Sequence, residues 1–250
     1  MITQLQDLAL AGVKWELEET AFGQIQADID SGAVVQTTER TRLASSVVPP
    51  IAPVVPVSVE TAVSMSMRPT NIESLVRMIS EFNHPLRSGA TNVVMPNIAK
   101  RPSGLMVITD IPSNEDDASG HILTGKTGEL FDKMLAAIGM SRDTVTITPL
   151  IFWRTPGGRT PTENELALSR PFVNRMIELL EPRIIVTLGT LAAAQIAGID
   201  LMKHHGDNVV LDNDVLVFPI YHPNYLMLKP TAKQSVWTVL QNVQNLLKNV

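Results

Sequence analysis

The stretch VLVFPIYHPNYLMLKP, running from Val215 to Pro230, decides the fold class. Its opening, Val215 to Ile220, is apolar along its whole length rather than at alternate positions. A strand of that kind is buried on both faces, as in a parallel sheet with helices on each side. Such sheets bind ligands beyond the carboxyl ends of their strands, and that is where Tyr221, His222 and Pro223 fall. Pro223 biases His222 toward an extended backbone, which gives the imidazole one consistent aim. Position alone leaves two readings open: a functional group, or a side chain that merely caps the strand end.

Working outward, the same pattern recurs. GLMVITD (104–110), TVTITPLIFW (144–153) and RIIVTLG (183–189) read as further buried strands. Helical segments lie between and around them: TNIESLVRMISEF (70–82), GELFDKMLAAIGM (128–140), TENELALSRPFVNRMIELLEP (162–182, interrupted by Pro171), TLAAAQIAG (190–198) and TAKQSVWTVLQNVQNLLKNV (231–250). Strand–helix alternation predicts an α/β three-layer sandwich with a central, mainly parallel sheet of about four strands. Its strand ends offer four places for a site: Asp110, Pro149 to Arg159, Gly189 and His222. No G-x-G-x-x-G follows the first strand, which argues against a dinucleotide-binding enzyme.

Composition narrows the classes further. The chain has 250 residues and no cysteine, which excludes disulfides, thiolate catalysis and cysteine-held metals. No run of eighteen apolar residues and no basic, apolar leader is present, so no membrane span is expected and a cytoplasmic location is the default. The net charge of −5 lies in residues 1–66, with eight acids and three bases, while the remaining 17 acids and 17 bases cancel. A neutral body does not advertise nucleic-acid binding, although a local basic patch suffices for it. Residues 1–42 read as an acidic extension with an amphipathic pattern around Leu5, Leu8, Leu10, Trp15 and Leu17, a feature that suits a protein partner. Residues 43–69, with five prolines, read as a Pro/Val/Ser-rich linker without a regular helix. The body is expected to start at Thr70 and to fold without residues 1–66.

In order along the chain, TDIPS (109–113), GHILTGKTGEL (120–130), TPLIFWRTPGGRTP (148–161), TLGTLAA (187–193) and YHPN (221–224) resemble the motifs of the uracil-DNA glycosylase superfamily, closest to family 4. Those motifs have the forms Gly-Glu-Ala-Pro-Gly, GxxxxGPAG, TNVVKCRPPGNRxP, ALGRTAA and YHPS. The resemblance covers about residues 72–250 and implies a DNA N-glycosylase. It places Asp110 and His222 as the catalytic pair, with Ile111, Pro112, Leu123, Pro149 and Asn224 around the base. It places Arg154, Gly157, Gly158, Arg159, Tyr225, Leu226, Met227 and Lys229 against DNA, with the apolar Tyr225 to Leu228 segment suited to filling the gap left by a flipped base.

The departures are as informative. The positions matching the family's four cluster cysteines are Glu81, His84, Trp153 and Ser169, so no iron–sulfur cluster, metal or other cofactor is expected. The position of the base-stacking aromatic is Leu123, and that of the asparagine that reads the base edge is Pro149. Asp110 replaces a glutamate and Asn224 a serine. Glu115, Asp116 and Asp117 read as a solvated loop. Two functions follow from the resemblance: a glycosylase with altered or weak base preference, or a catalytically degenerate relative that binds DNA or protein.

Overall fold

A computed structural model describes residues 57–211 and 214–248. The acidic extension and most of the proline-rich stretch lie outside these residues. Five strands form one sheet in the order β2-β1-β3-β5-β4. They are β1 (Leu105–Thr109), β2 (Thr146–Pro149), β3 (Ile184–Leu188), β4 (Val209–Val210) and β5 (Leu216–Ile220). The strands β2, β1, β3 and β5 are parallel, as the apolar runs predict. The fifth, β4, is a two-residue antiparallel edge, too short to carry a sequence pattern.

Because successive strand residues face opposite sides, each parallel strand feeds two cores. Met106, Ile108, Ile185 and Val217 face one layer. Leu105, Val107, Val186 and Phe218 face the other. The first layer is built by α1 (Val59–Ser66), α2 (Ile72–Glu81) and α5 (Glu163–Leu180). The second is built by α4 (Gly125–Ala137), α7 (Pro223–Leu228) and α8 (Lys233–Lys248). Two shorter helices, α3 (Asn114–Ser119) and α6 (Thr190–Ala192), follow β1 and β3, and α6 runs on as a π-helical turn over Ala193–Ala197.

Two expectations are corrected. Helix α1 lies inside the stretch read as a linker. Its side chain at Ser58 caps the Thr61 amide, and Ala62 is fully buried. The prolines stop short of it, with Pro56 before and Pro69 after, so nothing breaks the run between them. Val57, Val59 and Met65 also pack on the first core, so removing residues 1–66 would strip a buried layer from the body. The second correction concerns Pro171, which does not interrupt α5. A capping box between Thr162 and Glu165 fixes the start of that helix, and Leu166, Leu168, Phe172, Val173 and Met176 bury its inner face. That burial offsets the one lost backbone hydrogen bond.

Candidate active site

The order of the parallel strands reverses at β1, with β2 on one side and β3 on the other, which opens a crevice at their carboxyl ends. A cleft of about 570 Å³ occupies it, within the size range of small-molecule sites. Asp110, one residue past β1, and His222, two past β5, both line this cleft. Both also line an adjoining cleft of about 310 Å³ with Gly189, Tyr221 and Tyr225.

His222 has the extended backbone that Pro223 dictates, with φ −62° and ψ 142°. Its Nδ1 accepts the Asn224 backbone N–H at 3.2 Å, capping α7. An acceptor nitrogen carries no proton, so the neutral ring holds its proton on Nε2. That Nε2 lies 3.1 Å from Thr109 Oγ1. Burial pushes the pKa down to about 4, against a small opposing effect of the Asp116 charge. At neutral pH His222 is therefore an uncharged hydrogen-bond donor. His84, also followed by proline, repeats the device: Nδ1 accepts from the Leu86 amide, and Nε2 donates to the Glu165 carbonyl. One ring nitrogen of His222 thus caps α7, and the other donates to Thr109 at the wall of the cleft.

Asp110 sits against the start of α6, where Oδ1 accepts the Ala192 N–H at 2.7 Å. The Leu191 amide helps as well, yet burial outweighs both and raises the pKa from the ordinary 3.8 to about 6. A carboxyl raised in this way favours the fold most below pH 3.8, and that contribution is lost as pH climbs through 6. Asp110→Asn, which stays neutral, is therefore expected to exceed the parent in stability above pH 7 by up to about 3 kcal/mol. The two should converge below pH 4. Urea unfolding at pH 4 and pH 8 measures the difference.

Leu123 lines the cleft with φ +52°, an unusual conformation for a side chain of its size. The surroundings hold it there. Arg142 donates to the carbonyls of Ile122 and Leu123 at 2.8 and 2.6 Å. Thr124 donates through N and Oγ1 to Asp116 Oδ1, each at 2.7 Å. A Cβ at Gly128 would stand 1.9 Å from the Leu123 carbonyl, so only glycine allows this approach. Asp116 is thus a buried clamp, and Asp117 likewise accepts the amides of Thr91 and Asn92. The reading of these acids as a solvated loop holds only for Glu115, which is exposed and lines the cleft.

The other sequence candidates divide. Ile111, Pro112, Asn224, Arg154, Gly158 and Met227 line the larger cleft. Asn114, Lys126 and Thr127 join them there. Tyr225 lines the smaller cleft and packs on Tyr221 with ring centroids 4.8 Å apart. Gly157 and Gly158 adopt left-handed φ of 64° and 70° in an open loop. Four candidates fall elsewhere. Pro149 is buried at the end of β2 and does not line the cleft. Leu226 is 1% exposed and packs inside the second core, because the inner face of α7 must be buried; Leu228, at 81%, is the exposed apolar tip instead. Arg159 pairs with Glu165 at 2.6 Å rather than standing free, and holds that carboxylate down to about 2. Lys229 is exposed and lines neither cleft.

The corner that carries cluster cysteines in the resemblance is filled by packing. His84 stacks on Trp153 with centroids 4.6 Å apart and planes 5° from parallel. Both ring nitrogens of His84 are engaged with backbone, Ser169 is buried, and Glu81 is exposed. Those residues do not fit an iron–sulfur cluster, which needs thiolates. Among the described residues no group of three His, Asp or Glu is placed to hold a metal ion, and no helix is long and apolar enough to cross a membrane.

Comparison with known families matches residues 96–244 to the uracil DNA glycosylase superfamily. The type-4 uracil-DNA glycosylase of Sulfurisphaera tokodaii is 30% identical over 154 residues, which is 58% of this chain and 70% of that protein. The type-4 enzyme of Thermotoga maritima is 30% identical over 163 residues, covering 62% and 84%. That of Archaeoglobus fulgidus is 27% identical over 174 residues, covering 66% and 87%.

Proposed function

Since the chain belongs to the uracil DNA glycosylase superfamily, we propose that it hydrolyses the N-glycosidic bond of a deaminated base flipped out of DNA. The supporting observation is that Asp110 and His222, from distant parts of the sequence, line one cleft at the strand switch point. Breaking the C1′–N bond leaves both bonding electrons on the departing base and positive charge on the sugar. The neutral Nε2–H of His222 would donate to the base oxygen where that charge collects. The Asp110 carboxylate would stabilise the sugar cation and orient water toward C1′. Its pKa of about 6 also suits it to take the proton released as water adds.

Base preference is altered in this reading. Leu123 offers no aromatic face, which weakens capture by about 1–3 kcal/mol if single-strand stacking values transfer. Pro149 lies buried outside the cleft, so no side chain at that position hydrogen-bonds a base edge, and its share of the penalty on wrong bases is lost. The amides left to read a base edge are Asn224 and Asn114. Lys126 and Arg154 at the rim, with the open Gly157–Gly158 loop, suit phosphate contact. Met227 and Leu228 suit the gap left by the flipped base. A cytoplasmic location belongs to the same proposal. The second reading, a degenerate DNA- or protein-binding module, is favoured by Leu123 and Pro149.

Base release from single- and double-stranded oligonucleotides carrying uracil, hypoxanthine or xanthine separates the two. Weak or broadened release supports the enzyme. Strong selectivity for uracil contradicts the altered preference, and binding without release from any of the substrates supports the module.

A further inference from the structure

We propose that Thr109 is a gate on His222: its hydroxyl holds the Nε2–H in the free protein and must yield it before that proton can reach a base. The inference rests on the glycosylase reading above, and goes beyond it by naming a residue that restrains the donor.

The neutral ring has a single N–H. Nδ1 is committed as acceptor to the Asn224 amide at 3.2 Å, so the proton sits on Nε2. Nε2 in turn meets Thr109 Oγ1 at 3.1 Å. The donor that would stabilise the leaving base is therefore already engaged inside the protein. Thr109 cannot swing away with an entering ligand. It is the last residue of β1, 1% exposed, paired with Pro149 on one side and Leu188 on the other. It also lines the cleft, so a base oxygen arriving there competes with the hydroxyl for one proton. His84 makes the comparison clear. Its Nε2 donates to a backbone carbonyl in a buried corner, where no ligand can enter and no side chain can be exchanged. At His222 the acceptor is a side chain, at a position where the resembling motif carries glycine.

The closing experiment uses the full chain with Thr109 unchanged or replaced by valine, alanine or serine. Single-turnover base release is followed on a uracil-containing single strand, and the His222 imidazole is followed by nitrogen-edited NMR. Thr109→Val and Thr109→Ala should release base roughly 3- to 10-fold faster, the worth of one neutral hydrogen bond. Thr109→Ser should match the parent. The Nε2–H signal, protected from solvent exchange in the parent and in Thr109→Ser, should vanish in the other two. Equal or slower release by both valine and alanine variants, with an active parent, overturns the gate. So does a parent Nε2–H that exchanges as fast as in Thr109→Val. Release that appears only in the valine and alanine variants supports it most strongly. Should no variant release a base, the glycosylase reading fails and the gate with it, while the NMR comparison still decides whether Thr109 holds the proton.

Discussion

Trp153→Ala is expected to cost about 3–5 kcal/mol of stability, the usual range for emptying a large buried aromatic site. Trp153 is wholly buried in the first core. It touches three rings: His84 stacked at 4.6 Å, Phe152 edge-on at 5.9 Å and Phe82 tilted at 6.2 Å. Each such pair contributes about 0.5–1.5 kcal/mol beyond area burial. Phe82 continues the cluster to Phe172 on α5, so a void at Trp153 loosens helix, loop and sheet together. Trp153→Phe should cost less than half as much. Its smaller ring keeps the stack and removes an indole N–H that finds no partner among the described residues, which relieves a penalty of about 1–3 kcal/mol. Denaturant unfolding of both variants measures this. A loss under 1 kcal/mol for Trp153→Ala would show that the corner is not held by this packing.

Gly189→Ala is expected to lower base release by about 10²–10³-fold, the range for removing one preorganised electrostatic group. Gly189 has φ 104° and ψ 173°, a region open essentially to glycine alone. A Cβ there would stand 2.1 Å from Asp110 Oδ2. The methyl group and the carboxylate cannot share that space, so the carboxylate must leave its seat on the Ala192 amide. In the parent, release should fall as pH drops below 6, when Asp110 becomes protonated. His222, with its pKa of about 4, stays neutral through that window. Gly189→Ala should be slow throughout and should lose that step. A variant that keeps the parent rate and the parent pH profile would remove Asp110 from the chemistry.

The sheet was legible because each parallel strand is an unbroken apolar run, and parallel burial leaves no other pattern. The edge strand β4 was not, since Val209–Val210 is too short to show a period. Asp110 and His222 could be placed at the cleft from the sequence because strand ends bound the crevice in this architecture. The clamps around Leu123 could not. Arg142 and Asp116 act through backbone carbonyls and amides brought near only by folding. The same holds for Arg159, where a charge that looked free is spent on Glu165. Leu226 was misread because an apolar segment does not reveal which of its side chains faces inward until the helix direction is known. Thr109 stood in the quoted TDIPS motif, but its contact with His222 spans the sheet, and no local pattern encodes it.

The most direct test of the glycosylase reading is single-turnover base release by the parent and by an Asp110→Ala, His222→Ala double variant. It uses whichever of uracil, hypoxanthine or xanthine the parent releases fastest. The account predicts measurable release by the parent and a loss of at least about 10³-fold in the double variant, with circular dichroism showing the fold retained. Release by the folded double variant at the parent rate would place the chemistry outside this cleft and contradict the account.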